Sequence, residues 1–402
     1  MLSIDDVRAA RERVDDIVRH TPLERSHAFS AQTGAEVYLK LEVFQRTGAF
    51  KIRGASNRIR TLSPEAREAG VVTASAGNHA QGVALAAARS GVDATIVMPE
   101  SAPISKVQAT RNYGAEVELF GVDYDAAADR AHEIEHEEDR TYVHAFDDPM
   151  VMAGQGTLGL EIAEDLPDVD LVVSAIGGGG LISGVATAIK AETGARVVGV
   201  EAEGAASVPQ SLAAGRIYER DAVETIADGI ATRRVGDQPF EVIRERVDDV
   251  VTVSDSEIAR AMMQLLERSK VLVEGAGAAP LAALLSGAID YDEGETVAIG
   301  LCGGNVDLNT VTTVIMRGLI EAGRYVRLRT VLRDRPGALR DLIDVIAELG
   351  ANIYAIQHDR TSREIGMDDA WVELDLETRG PDHVDTVLEG LDAAGYEAEL
   401  LV

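Results

Sequence analysis

From Val37 to Leu301, short β-rich runs are followed by turns and then by amphipathic stretches, and this alternation limits most of the chain to an α/β architecture with mainly parallel strands. The expected strands are Val37–Val43, Val71–Ala74, Asp93–Met98, Glu116–Phe120, Asp170–Ala175, Arg196–Val200, Val250–Val253 and Thr296–Leu301. Stretches between them, such as Asn78–Arg89 and Glu257–Arg268, carry the helical period, as does the start of the chain from about Asp5 to His20. Beyond about Leu319 the pattern changes. Tyr325–Leu332 reads as a strand, Gly337–Leu349 as a helix, Asn352–His358 and Ala370–Leu376 as strands, Asp382–Ala393 as a helix and Glu397–Leu401 as a strand. That order is a βαββαβ unit of ferredoxin-like form. Two domains are therefore expected, residues 1–320 with a smaller subdomain around 50–150, and residues 325–402, with the boundary near 318–325.

Charge and cysteine content narrow the function classes. A formal net charge of -30 opposes binding to nucleic-acid phosphates. No apolar stretch approaches the roughly 18 residues that a membrane span requires, so no membrane partner is expected. The start of the chain carries no export pattern, and the single Cys302 has no partner for an internal disulfide, so the expectation is cytoplasmic. Lysine occurs only at positions 40, 51, 106, 190 and 270, and arginine supplies the rest of the 38 basic residues. Arginine-rich and strongly acidic, the chain resembles a salt-adapted, halophilic protein.

Chemistry is concentrated at the glycine-flanked turns. In Gly48-Ala49-Phe50-Lys51-Ile52-Arg53-Gly54-Ala55 a lone lysine opens a helical stretch among apolar neighbours, where loss of water disfavours the ammonium form and leaves a nucleophilic amine. The plain alternative is a solvated surface lysine. Ser75-Ala76-Gly77-Asn78-His79-Ala80-Gln81-Gly82 follows the strand-like Val71–Ala74 and enters a helix, so its backbone N–H groups can face a carboxylate or phosphate. Read plainly, Ser75 or Asn78 is a helix cap and His79 a solvated residue.

Gly177, Gly178, Gly179 and Gly180 follow the apolar run Leu171–Ile176 and allow backbone amides to approach a phosphate closely. A dinucleotide fold is the rival, with Glu201 as its ribose-binding acid, but Ile182 stands where G-x-G-x-x-G needs its third glycine. Cys302-Gly303-Gly304-Asn305 follows Thr296–Leu301 at a strand's C-terminal end. Cys302 lacks a sequence-evident base and makes better sense as a weak hydrogen-bond partner for a heterocyclic nitrogen. Glu274 lies beside a glycine turn and serves either that site or a helix start.

Taken in order and spacing, these four motifs resemble the serine/threonine dehydratase family of fold-type II, tryptophan synthase β-like pyridoxal-phosphate enzymes, over roughly residues 5–320. The resemblance implies a pyridoxal 5'-phosphate cofactor. It makes Lys51 the catalytic Schiff-base lysine, Phe50 a neighbour of the cofactor ring, Asn78 the partner of its phenolic oxygen, and Gly177–Gly180 the phosphate cradle. Cys302 becomes the neutral partner of the pyridine nitrogen, and Glu274 a residue near the ring. Ser75, Ala76, Gly77, Asn78 and His79 would bind the substrate carboxylate.

The implied reaction is deamination of L-threonine, and of L-serine, to 2-oxobutanoate or pyruvate and ammonia by β-elimination of water. A racemase or β-replacement enzyme of the same fold, or a non-enzymatic amino-acid sensor, are the alternatives. Two departures bear on them. Racemases of this family carry a serine where this chain has Ala76, and relatives that bind a divalent cation carry an aspartate where it has Ser207, opposite Glu201; no metal is expected. The C-terminal element order and the turn Asp334-Arg335-Pro336-Gly337 resemble an ACT domain, which implies an isoleucine or valine effector and a homo-oligomer, dimer or tetramer. The turn also suits an ordinary strand-to-helix connection.

Overall fold

Runs rich in valine, isoleucine and leucine form strands here because their branched side chains are buried on both faces of parallel sheets. A computed structural model describes residues 1–360, 366 and 368–402, in two compact units, Met1–Asp307 and Leu308–Val402.

The first unit holds two sheets. The larger contains β1 (Leu23–Arg25), β2 (Glu36–Lys40), β7 (Leu171–Ala175), β8 (Arg196–Ala202), β9 (Asp249–Val253) and β10 (Thr296–Gly300). The smaller contains β3 (Val71–Ala74), β4 (Ala94–Met98), β5 (Glu116–Leu119) and β6 (Thr141–Tyr142). The strand orders are β1-β2-β10-β7-β8-β9 and β5-β4-β3-β6. Every pairing is parallel except that of the edge strand β1 with β2. The strands of the smaller sheet fall between Val71 and Tyr142.

A helix at Pro149–Asp165 runs through the interior, buried on every side from Val151 to Ala163. Its start is fixed by Asp148, whose Oδ1 accepts from the N–H groups of Met150 at 2.7 Å and Val151 at 3.0 Å, and by Pro149 in the first turn. Close approach by two neighbouring helices explains its glycines. A Cβ at Gly154 would fall 2.6 Å from the Arg53 carbonyl of Lys51–Arg60, and one at Gly159 2.9 Å from the Val185 carbonyl of Gly180–Glu192.

The second unit contains the helix Leu308–Glu321, then β11 (Tyr325–Arg333), the helix Ala338–Glu348, β12 (Asn352–Asp359), β13 (Asp369–Glu377), the helix Pro381–Ala393 and β14 (Ala398–Leu400). The strands lie in the order β12-β13-β11-β14, all antiparallel. Val326, Leu328, Leu332, Leu342, Ile346, Val372, Leu374, Val387 and Leu391 make one buried core between the sheet and the helices.

Several boundaries move from the sequence reading. The first helix ends at Val14 rather than near His20. The helix expected over Glu257–Arg268 starts at Asp255, where Ser254 and Glu257 form a reciprocal cap, and from Leu265 passes into a π-helical turn that ends at Lys270, φ 59°. β8 extends to Ala202 because Glu201 and Ala202 still pair with Thr252 and Val253. The helix Leu308–Glu321 groups with the second unit, so the division precedes the change of pattern near 318–325. Among the described residues no helix is long and apolar enough to cross a membrane.

Candidate active site

Lys51 is the first residue of the helix Lys51–Arg60, and the chain leading into it is tied to the loop after β10. Ala49 bridges to Gly303, and the Phe50 N–H donates to the Cys302 carbonyl at 3.3 Å. The lysine amine donates to the Ala145 carbonyl at 2.8 Å and stands 5.1 Å from the centre of the Phe50 ring. Loss of water in this recess pushes its pKa from 10.5 down to about 8, while the Glu274 carboxylate pulls the other way.

Phe146, next to Ala145, packs against Gly178 and Gly180. A Cβ at Gly178 would fall 2.2 Å from the Phe146 ring, one at Gly180 2.8 Å from its backbone, and one at Gly177 2.9 Å from Ile230 Cα. Gly179 adopts φ +89° and opens the helix Gly180–Glu192 with no side-chain cap. The tetraglycine thus leaves uncapped first-turn N–H groups at the end of β7, an arrangement suited to a phosphate.

The turn Ser75–Gly77 after β3 leads to a second uncapped start, that of the helix Asn78–Ser90. The Gly77 N–H donates to Ser75 Oγ at 3.2 Å, and the space a Gly77 Cβ would enter is open. The Asn78 amide nitrogen donates to Glu274 Oε1 at 2.7 Å. Glu274 precedes the helix Gly275–Ser286; loss of water raises its pKa, partly offset by the Asn78 bond.

His79 is a correction to the solvated alternative. Its ring is buried, with Nε2 2.8 Å from the Val143 carbonyl, and burial together with the Lys51 charge lowers its pKa to about 3. The ring is therefore a neutral structural group, and what His79 offers a ligand is its first-turn N–H. Cys302 is 5% exposed, and burial raises its thiol far above neutrality, so it stands protonated and is a poor nucleophile.

Glu201 lies at the end of β8 with both carboxylate oxygens accepting from the Ser207 N–H, at 3.1 and 3.2 Å, and one also from the Val208 N–H at 3.0 Å. Burial nevertheless raises it to about 7. Its carboxylate thus faces backbone donors at the turn after β8. Among the described residues no cluster of three or more histidine, cysteine, aspartate or glutamate side chains could hold a metal.

Lys51, Phe50, Asn78, Glu274, Cys302 and the tetraglycine thus converge within the first unit, joined through Ala145–Phe146 and the Cys302–Asn305 loop. Sequence reasoning assigned no role to Ala145 or Phe146, which lie in a short loop without a periodic or glycine signal. It quoted Asn305 only as part of a motif. The turn Asp334–Gly337 lies in the second unit, where the Asp334 N–H donates to Asp368 O at 2.7 Å, Arg360 pairs with the Asp334 carboxylate at 2.9 Å, and Gly337 takes φ +96°.

The model of the family described as "Pyridoxal-phosphate dependent enzyme" matches residues 14–303. The L-threonine ammonia-lyase of Thermotoga maritima is 48% identical over 402 residues, all of both chains. The processed form of threonine deaminase isoform 2 from Solanum lycopersicum superposes with a TM-score of 0.76 at 38% identity, covering 78% of this chain and 92% of that one. Maize serine racemase superposes with a TM-score of 0.75 at 39% identity, covering 80% of this chain and 98% of its own. On the family match and the full-length identity, the chain belongs to the pyridoxal-phosphate-dependent enzymes of fold-type II.

Proposed function

We propose that this chain is a threonine ammonia-lyase, deaminating L-threonine, and L-serine, to 2-oxobutanoate or pyruvate and ammonia by β-elimination of water. The observation that carries the reading is the Lys51 amine, held at a pKa of about 8 between the Phe50 ring and the Ala145–Phe146 loop that packs on the tetraglycine. The side-chain-free, uncapped tetraglycine fits the cofactor phosphate, and the protonated Cys302 thiol fits a neutral partner for the pyridine nitrogen. Phe50 would flank the ring and Asn78 would face its phenolic oxygen. Pyridoxal phosphate, when bound, supplies an electron sink for negative charge at the substrate Cα.

The chain's own groups supply the rest. Lys51, with an amine partly neutral near physiological pH, takes the Cα proton. The turn Ser75–Gly77, with the first-turn N–H groups of Asn78 and His79, would bind the substrate carboxylate without a charged side chain. Ala76 leaves no hydroxyl at the position where racemases carry a serine, which favours elimination over racemisation despite the equally close superposition on maize serine racemase.

The second unit has the strand order of a ferredoxin-like βαββαβ sheet, which supports reading it as an ACT domain, and we assign it amino-acid regulation, with isoleucine or valine as effector at the Asp334–Gly337 turn. The racemase superposition, over 98% of that protein and only 80% of this chain, supports treating the added unit as a separate device.

The test is an assay of purified holoprotein with L-threonine and L-serine, following ketoacid, ammonia and D-isomer separately. Ketoacid is expected from both, and Lys51→Ala should abolish it. Ketoacid formation surviving Lys51→Ala would overturn the role of Lys51, and D-isomer as main product would favour racemisation.

A further inference from the structure

Two amides and one backbone carbonyl fix which way the Asn78 side chain faces. The Thr47 carbonyl can only accept, and Asn305 Nδ2 donates to it at 2.6 Å. The same nitrogen donates to Asn78 Oδ1 at 2.9 Å, so Asn78 turns its own Nδ2 to Glu274 Oε1, at 2.7 Å. An amide is nearly symmetric in outline, and its oxygen and nitrogen are assigned by their partners. Here the partners agree from end to end. Reversing Asn305 would set its oxygen against the Thr47 carbonyl, two acceptors with no hydrogen between them. Reversing Asn78 alone would oppose two acceptors at Glu274 and two donors at Asn305.

Packing holds the first amide of this relay in place. Gly48, at φ +71°, approaches so closely that a Cβ there would lie 2.6 Å from Asn305 Oδ1. The Glu274 N–H donates to Gly303 O at 3.0 Å, which ties the far end of the relay to the same loop. Asn78 belongs to the helix after β3, in the smaller sheet, while Glu274 and Asn305 belong to segments around β10 in the larger one. The relay therefore spans both sheets of the first unit.

We propose that Asn305 is a positioning residue, which holds the Asn78 amide with its nitrogen outward and leaves that nitrogen's second N–H free for the phenolic oxygen of bound pyridoxal phosphate. The proposal rests on the assignment of Asn78 to that oxygen. A hydrogen bond donated to the oxygen favours its ionised form. The balance of long- and short-wavelength absorption bands of the bound cofactor reads that ionisation without reference to turnover.

The experiment measures this band balance against pH, and cofactor affinity by fluorescence, in the full chain and in Asn305→Ala, Asn305→Asp, Asn78→Ala and the Asn78→Ala/Asn305→Ala double variant. Both Asn305 variants should move absorbance toward the short-wavelength band and weaken cofactor binding on the order of tenfold. In the Asn78→Ala background, Asn305→Ala should add less than about twofold, because both act through one amide. A merely structural residue would keep its full effect in that background, and this result would overturn the proposal. Should Asn78→Ala leave the bands unchanged, the assignment of Asn78 fails and the proposal with it. Should Asn78→Ala shift them while Asn305→Ala does not, only the role of Asn305 is lost. Asn305→Asp keeps the outline packed against Gly48 and decides the matter alone if the alanine variant does not fold.

Discussion

Arg53 grips both carboxylate oxygens of Glu42, with Nε to Oε2 at 2.8 Å and Nη2 to Oε1 at 2.7 Å, and neither side chain has any exposure to solvent. Its other nitrogen reaches Glu161 Oε1 at 2.6 Å, and Lys40 joins Glu161 Oε2 at 2.9 Å. Arg53 lies two residues beyond Lys51, so this cluster anchors the start of the helix that presents the Lys51 amine.

Replacing Arg53 with methionine keeps comparable volume, strands the buried Glu42 carboxylate and takes from Glu161 one of its two cationic partners, leaving Lys40. A loss of about 3–5 kcal/mol is expected, since a buried charge deprived of its partner retains its desolvation cost. The urea midpoint at constant m-value measures it; a loss below about 1 kcal/mol would mean that water reaches the carboxylates. Burial raises Glu161, but Arg53 and Lys40 outweigh that and hold it below its ordinary 4.5. Its contribution is therefore complete above pH 4.5 and is lost as pH falls through the lowered value.

The glycines at the two uncapped helix starts, Gly177–Gly180 and Gly77, are separable by what a Cβ would meet. Gly178→Ala drives a methyl group into the Phe146 ring, an overpacking expected to cost about 1–3 kcal/mol and to weaken cofactor binding. Gly77→Ala meets nothing within 4 Å at φ -129° and should leave the melting temperature within a degree or so. Thermal unfolding of the two variants side by side tests the contrast, and equal losses would refute it.

The sequence made the strands legible because burial on two faces leaves unbroken apolar runs, as in Leu171–Ala175 and Thr296–Gly300. It made the glycine turns legible because each lacks side chains where a strand ends. It could not show that Phe146 presses on Gly178, or that Arg53, in a motif read for its lysine, pairs with carboxylates 11 and 108 residues away. Such contacts are set by tertiary packing and leave no local period. The same limit applies to His79, whose burial follows from the Val143 carbonyl, 64 residues on.

Competitive acylation of the cofactor-free protein, followed by peptide mass spectrometry, reads the Lys51 amine directly. Only the neutral amine reacts, so Lys51 labelling should rise with pH around a midpoint of about 8. The direction follows from loss of water disfavouring the ammonium form, which outweighs the Glu274 carboxylate. A Lys51 midpoint at or above about 10 would remove the basis for a ready proton acceptor near neutral pH, whereas Glu274→Gln should lower the midpoint further.

The chain's single tryptophan, Trp371, allows the second unit to report on itself. It lies opposite Val331 in the pairing of β13 with β11, three residues from Asp368, whose carbonyl accepts from the Asp334 N–H. Arg329 stands 5.2 Å from its ring centre, a cation–π contact sensitive to small shifts of the strand. If isoleucine or valine binds at the Asp334–Gly337 turn, titrating either into the full chain should change the indole emission along a saturable curve. Threonine at the same concentrations should change it far less, because the residues proposed to bind it lie in the other unit. Gly337→Ala, which forces a side chain onto φ +96°, should weaken the response at least several-fold while leaving ketoacid formation without effector unchanged. An emission that no branched-chain amino acid alters would leave the second unit with assembly, not sensing, as its role.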